Sequence, residues 1–422
     1  MKKLGLLFPG QGSQYIGMGK ELYEEFEVVR HTFEEASNVL NFDLKELCFN
    51  GDINTLTMTA NAQPAILTVS VAAYRVLMQE LNLFPEFGAG HSLGEFSALT
   101  CTGAISFSDA VKIVHHRGTL MQDAVAPGEG AMVAIMGLNE WDIESICLKA
   151  SSNERKVVIA NYNSSNQVVI SGHADAVERA KVDLEKMGAR TIPLNVSAPF
   201  HSPLMTTAAK QFGDELTSYN YSQFQWPVIS NYTGTPYKEP RFIVSNLTSQ
   251  MAQPVQWQKS IQYMVNKGVA TFIEIGPKSV LKNLMNDISK SAKVFSLEQP
   301  TSIKNLKETK IEAKPDGLAL ITSCIAVAVS TQNKNWNNDE YDKGVVVPYK
   351  QLEELREQLI AERKEPTKEQ MHYAIDLLKT IFETKLTPIE IQEERFNQIF
   401  YSTHTRDHFS EFKVGVVALE KS

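Results

Sequence analysis

The sequence predicts an α/β protein in three parts: a large domain on a parallel sheet, a small βαββαβ subdomain inserted into it, and a C-terminal helical extension. Three observations carry this. Short apolar runs alternate with amphipathic helical stretches over residues 4–124 and again after 203, an order that covers both faces of a parallel sheet with helices. Between them, residues 131–194 change rhythm to strand, helix, strand, strand, helix, strand. From about residue 299 the strand pattern stops, and the chain turns first Lys-rich and polar, then helical.

The elements follow in order. Residues 4–8 read as a continuous apolar strand that breaks at Pro9-Gly10-Gln11-Gly12, too short a run for a signal peptide. Helical patterns follow near 17–40. Residues 59–80 form a long helix with Ile66, Val69, Ala73, Val76 and Leu77 on one stripe. A short strand at 87–91 precedes a helix, and 106–124 is another amphipathic helix. The inserted unit places strands at 131–136, 157–161, 167–171 and 190–194, with helices at 140–150 and 174–187, the split, ferredoxin-like arrangement. The α/β pattern resumes with a helix at 203–219 and a strand at 228–231. Helices near 243–251 and 257–267, a strand at 271–275, a helix at 279–289 and a strand at 293–297 complete it. The expected divisions are 1–127 with 198–298 for the large domain, 128–197 for the subdomain, 299–345 for a linker region and 346–422 for the extension. Within the last, Leu352, Leu355, Leu359 and Ile360 mark one helix. Thr367-x-x-Gln370 is a capping box for a second, and Thr387-Pro388-Ile389-Glu390 opens a third with proline at the first helical position.

Composition narrows the function. A formal charge of -8 argues against a general nucleic-acid binder. The apolar run 318–329 is too short to span a bilayer, so no membrane role is expected. Cys48, Cys101, Cys147 and Cys324 are scattered without a C-x-x-C, which suits reduced thiols in the cytoplasm.

The chemistry-bearing residues lie at turns. Ser92 sits in Gly90-His91-Ser92-Leu93-Gly94 between a strand and a helix, the nucleophile elbow of an α/β-hydrolase-like domain. A serine needs a base, and His201, in Ala198-Pro199-Phe200-His201-Ser202-Pro203, lies where the chain returns from the subdomain. His91, His115, His116 and His173 compete for that role. Arg117 falls on the inward stripe of its helix with Phe107, Ala110, Val111, Val114 and Met121. An inward guanidinium needs an anion: either a protein carboxylate in a structural ion pair, or a substrate carboxylate held bidentately. Gly10-Gln11-Gly12-Ser13-Gln14 can offer a backbone N–H to an oxyanion; it is neither a Walker nor a Rossmann phosphate loop. His404-x-x-x-His408 has the spacing of two metal ligands on a helix, but no third ligand is placed nearby, so no metal is expected.

With these residues assembled, residues 1–298 resemble the malonyl-CoA:acyl carrier protein transacylases of fatty-acid synthesis. They also resemble the closely related stand-alone, trans-acting acyltransferases that serve modular polyketide synthases, which the whole chain is most like. The blocks that carry the resemblance are Phe8-Pro9-Gly10-Gln11-Gly12-Ser13-Gln14, Gln63-Pro64-Ala65, Gly90 to Glu95, Arg117-Gly118, Asn163 to Gly172, Phe200-His201-Ser202, Gln250, Pro254-Val255-Gln256-Trp257 and Glu274-Ile275-Gly276-Pro277.

The resemblance implies Ser92 as nucleophile and His201 as general base, then acid. It implies an oxyanion hole from the N–H groups of Gln11 and Leu93, a malonyl carboxylate held by Arg117, and Gln63 in the substrate site. The resemblance further implies that the carbonyl of Gln250 stands in for a triad carboxylate and that Phe200 before the base leaves little room for an α-methyl group. Malonyl-CoA and a phosphopantetheinylated acyl carrier protein are the implied partners, with polyketide synthase modules as a further one, and no cofactor is implied. The added tail points to the polyketide-type relative. Two rivals remain: a trans-acting hydrolase that clears stalled acyl groups from carrier proteins, and a non-catalytic carrier-binding scaffold.

Overall fold

The computed structural model describes residues 3–81, 83–196, 198–308 and 315–414. These residues divide into two compact units. One contains residues 3–81, 85–196 and 198–308; the other contains residues 315–414 together with Leu83 and Phe84.

The first unit holds two sheets. Five parallel strands run in the order Val228–Ile229, Pro85–Gly90, Lys3–Phe8, Val269–Ile275, Lys293–Leu297. Lys3–Phe8 is central and buried from Leu4 onward, as a strand covered on both faces requires. Its register pairs Phe8 with Gly90, so the turns after these two strands emerge side by side at the carboxyl edge of the sheet. That edge is where open α/β sheets place their ligand sites. Val228–Ile229 is shorter than the expected strand because Asn231 leaves the ladder and spends its polar groups on the turn beside it.

The second sheet is antiparallel, in the order Val157–Ser164, Gln167–His173, Gly130–Met136, Arg190–Pro193. Val157–Ser164 and Gln167–His173 form a hairpin between the two helical crossovers, the split pattern that the sequence predicts. Helices Glu140–Ala150 and Ala174–Lys186 cover it, packing Ile143, Val177 and Leu184 against Val133, Ile159 and Ile170. The subdomain is tied to the large sheet's domain through Val255, which bonds Tyr162 N–H at 3.0 Å and Ala160 C=O at 2.9 Å.

The expected linker region 299–345 is largely helical. Pro300–Glu308 is a helix with Ile303 and Leu306 buried and Lys304 and Lys307 outward. The lysines that read as linker composition are the solvent face of an amphipathic turn. Gly317–Ser330 buries Leu320, Ile321, Cys324, Ile325 and Ala328.

The second unit continues with Val347–Glu362, Lys368–Thr384 and Ile389–Ser402. The capping box at Thr367 and Gln370 is formed in both directions, at 3.3 and 2.9 Å. Pro388 is the N-cap rather than the first helical residue; its extended ψ of 146° lies outside the helix. Phe382, Phe396, Phe400 and Phe409 make an aromatic core, with Phe400 stacked on Phe409 at 4.5 Å. Buried Lys385 donates to the carbonyls of Ala328 and Thr331 at 2.7 and 2.8 Å, closing the end of the apolar helix. His404 and His408 do not share a helix: the helix ends at Ser402, and His404 turns back with φ 57°. Among the described residues no group of three or more His, Cys, Asp or Glu is placed to hold a metal ion, and no helix is long and apolar enough to cross a membrane. Residues 415–422 of the expected extension lie outside the described residues.

Phe400→Ala removes the ring between Phe396 and Phe409. It should destabilise the helical unit by about 3–5 kcal/mol. Amide exchange across Lys368–Thr384 and Ile389–Ser402 should accelerate accordingly; unchanged protection would show that this core does not hold the unit together.

Candidate active site

Ser92 occupies the turn between Pro85–Gly90 and helix Leu93–Cys101 with φ 49° and ψ −103°, a strained conformation for a side-chain-bearing residue. The flanking glycines are required by space. A Cβ on Gly90 would lie 1.9 Å from the carbonyl of Gly94, and a Cβ on Gly94 would lie 2.0 Å from Phe8 O. Asn231 braces the turn from outside. Its Oδ1 accepts from Ser92 N–H at 2.6 Å, and its Nδ2 donates to Gly90 O at 2.7 Å.

His201 meets this serine. Ser92 Oγ lies 2.8 Å from His201 Nε2, and His201 Nδ1 lies 2.7 Å from the main-chain carbonyl of Gln250. A carbonyl only accepts, so Nδ1 carries the proton and Nε2 presents its lone pair to the serine. The residue is fixed further by its φ of 57° and by its main-chain N–H, which donates to Met251 O at 3.1 Å. Burial, reinforced by the charge of Arg117, pushes the imidazole down to about 3. It is neutral at physiological pH. The competing histidines are engaged elsewhere: His91 with Asn163 Oδ1 at 2.8 Å, His115 with Ala60 O at 2.9 Å, His116 with Glu215 at 2.7 Å and His173 with the Lys156 N–H at 3.0 Å.

Arg117 lies on the inward face of Phe107–Gln122 and is 1% exposed. Nη2 donates to Ser92 Oγ at 3.2 Å and to Gln250 Oε1 at 2.9 Å; Nη1 donates to Gln63 Oε1 at 2.9 Å. The guanidinium lies over the Phe96 ring at 5.2 Å, and its Nε has no partner among the described residues. Amide oxygens and a hydroxyl, rather than a carboxylate, fill its fork. The nearby carboxylate, Glu95, is one side chain removed: Gln250 Nε2 donates to Glu95 Oε2 at 2.7 Å and to Ser92 O at 2.9 Å. Glu95 also accepts from Tyr237 OH at 2.5 Å and from Asn231 N–H at 3.1 Å. Burial pushes the Glu95 carboxyl up to about 7, and burial lowers Arg117 to about 9 against the pull of Glu95.

The remaining expected residues sit around this centre. Gln11 is in the turn after the first strand, its side chain bonded to Thr59 Oγ1 at 3.2 Å. Leu93 is the first residue of its helix, so its N–H has no acceptor within that helix. Phe200 is buried and directly precedes His201. Gln63 is buried behind Arg117, its Nε2 turned to Met121 Sδ at 3.5 Å. Sequence reasoning gave no role to Glu95, Asn231 or Tyr237. Glu95 was visible as the end of the serine motif; Asn231 and Tyr237 lie more than a hundred residues away and carry no local signal.

An elbow serine whose histidine leans on a carbonyl, in a parallel-sheet domain with a split βαββαβ insertion, defines the acyl transferase class. Residues 6–315 match the family model described as acyl transferase domain. A malonyl CoA-acyl carrier protein transacylase of Bacillus subtilis is 40% identical over 398 residues, covering 92% of this chain and 98% of that one. An acyl carrier protein S-malonyltransferase from Vibrio cholerae is similar in structure, with TM-score 0.70, 42% identity, and 72% of this chain and 99% of that one covered. A malonyl-transacylase in complex with its type II PKS acyl-carrier protein gives TM-score 0.71 at 38% identity, covering 73% of this chain and 99% of that one. The chain belongs to the malonyl CoA-acyl carrier protein transacylase family.

The depressed histidine sets the pH behaviour. His201 stays able to accept a proton well below 6.5, so the maximal rate of acylation at Ser92, read at saturating malonyl-CoA so that Glu95, which is pushed up to about 7, does not enter through binding, should hold level from pH 8 down through pH 6. A fall centred on 6.5 would contradict this. The same depression removes stability as pH falls from 6.5 toward 3, because the unfolded chain takes up a proton that the folded chain refuses.

Proposed function

We propose that the protein moves a malonyl group from malonyl-CoA, through an ester on Ser92, to the phosphopantetheine thiol of an acyl carrier protein. The observation that carries this reading is a buried cation, Arg117, in hydrogen-bond contact with the elbow serine. A transferase for uncharged acyl groups gains nothing from it.

The contacts of Ser92, His201 and Arg117 support the following steps. His201 Nε2 takes the Ser92 proton as Oγ attacks the thioester carbonyl. The N–H groups of Gln11 and Leu93 receive the oxyanion. The intermediate collapses to the serine ester, and the CoA thiolate leaves with the proton from His201. The carrier thiol then gives its proton to His201 and attacks the ester; as the malonyl thioester departs, His201 returns that proton to Ser92 Oγ and the site is regenerated. Arg117 holds the malonyl carboxylate throughout; Gln63 and Gln250 hold Arg117. The cleft between the large domain and the subdomain keeps water from the ester. All of this is done by the protein's own groups, without a cofactor.

The polyketide-type reading is supported by the likeness to the malonyl-transacylase in complex with its type II PKS acyl-carrier protein, although that structure, covering 73% of this chain, does not reach the tail. A cytoplasmic setting is supported by the four cysteines, all free and buried.

Intact-protein mass spectrometry tests the proposal. Brief incubation with malonyl-CoA should give a malonyl adduct that Ser92→Ala abolishes and Arg117→Ala reduces by ~10–100-fold, the scale of a lost charge-assisted pair. Hydrolysis of uncharged acyl thioesters with no malonyl adduct would establish the hydrolase instead, and no turnover of either kind the scaffold.

Phe200 beside the base sets a second expectation. Malonyl-CoA should be preferred to methylmalonyl-CoA by about 1–3 kcal/mol in kcat/KM, the reach of one methyl group. Equal values for the two substrates would remove Phe200 from the specificity argument.

A further inference from the structure

The orientation of one amide decides where Arg117 points. Gln250 carries two chemically different ends on a side chain that fits equally well either way round. Its Nε2 faces two acceptors, Glu95 Oε2 at 2.7 Å and Ser92 O at 2.9 Å, while its Oε1 faces a donor, Arg117 Nη2 at 2.9 Å. Turned over, the amide oxygen would confront a carboxylate and a carbonyl, and the NH2 would confront a guanidinium. Glu95 makes that reversal prohibitive. It is itself held on three sides, by Tyr237 OH, Asn231 N–H and the Gln250 amide, in a site with no exposed surface.

The distance between the charges matters as much. A carboxylate seated in the Arg117 fork would compete with any carboxylated substrate for the same N–H groups. Glu95 stands one amide away. It offsets the buried cation through Gln250 without occupying its donors, and Gln63 holds the other nitrogen through a neutral oxygen. The fork is thus aimed and partly compensated, yet still open to exchange a weak amide contact for an ionic one.

We infer that Glu95 is a positioning residue for carboxylate selection: by fixing the Gln250 amide with its oxygen toward Arg117, it keeps the guanidinium beside Ser92 and free for the acyl carboxylate. This rests on the malonyl-transfer reading above.

The test compares acylation of Ser92 by malonyl-CoA and acetyl-CoA in wild type, Glu95→Gln and Tyr237→Phe, read by single-turnover kinetics. Glu95→Gln keeps the shape but replaces the carboxylate with a neutral amide, which weakens the charge-assisted bond that orients Gln250 and removes the anion that offsets Arg117. The expected result is a rise of ~10–100-fold in the malonyl-CoA concentration needed for half-maximal acylation, the scale of a lost charge-assisted contact. Acetyl-CoA acylation, which makes no use of the Arg117 fork, should fall by a clearly smaller factor, so the malonyl-to-acetyl preference drops. Tyr237→Phe, which loosens Glu95 without touching Gln250 or Arg117, should move the same ratio in the same direction by a smaller factor. An equal fall for both substrates would overturn the inference and leave Glu95 a structural residue; so would unchanged selectivity in both variants. If Glu95→Gln does not fold, Tyr237→Phe decides alone. Wild type that forms no malonyl ester defeats the function proposal itself, an outcome separate from either variant result.

Discussion

Four parts of the site depend on Gln250. Its carbonyl holds the histidine, its amide nitrogen holds the nucleophile's own carbonyl and the buried glutamate, and its amide oxygen holds the arginine. Base, nucleophile and cation therefore take their positions from one residue near the end of helix Ile243–Ala252. This is why the sheet edge alone does not make the site. The edge delivers Ser92; the helix that follows the subdomain and the returning segment delivers what activates and flanks it. A shift of that helix would disturb the histidine and the arginine together, since one rigid backbone carries both contacts.

The strain at Ser92 is met by three independent devices. Gly90 and Gly94 remove the side chains that would clash, and Asn231 satisfies the two backbone groups that the sharp turn leaves without a ladder. The third is Leu93–Cys101 itself, wholly buried, whose packing fixes where the turn must end. A strained backbone persists only where its surroundings over-determine it, and here covalent economy, hydrogen bonding and packing each act on the same three residues.

Much of this was legible in the sequence because it is periodic or local. The inward place of Arg117 followed from the stripe of Phe107, Val114 and Met121, and the elbow from a Gly-x-Ser-x-Gly between strand and helix. What was not legible is made by long-range closure. Asn231 reads as the tail of a strand until the structure shows the ladder stopping at Ile229. Glu95 reads as a charged residue in a helix's first turn until Tyr237, Asn231 and Gln250 close over it. Two short helices, Leu44–Asn50 and Ile53–Thr57, went unread although Asp43 and Asp52 cap them in the usual way. Their few residues give too little periodicity to register. The reverse error, taking Pro300–Glu308 for linker, came from weighing lysine content above the spacing of Ile303 and Leu306.

The choice of a carbonyl over a carboxylate behind His201 has an electrostatic logic. In a triad the acid stabilises an imidazolium, at the cost of another buried anion beside the base. In the proposed malonyl transfer, the pocket's buried cation, Arg117, is there to receive a charged substrate. A carboxylate on His201 would lower the potential at Arg117 and weaken the attraction for an incoming anion, in a medium where such effects are large. A neutral carbonyl fixes the tautomer equally well and leaves that potential intact. The imidazolium formed during attack then finds its counter-charge in the oxyanion and the substrate carboxylate, both of which arrive with the reaction. A site that receives its negative charge from the substrate works better with a neutral brace on its base, and the buried glutamate, held one amide away from the cation, obeys the same constraint.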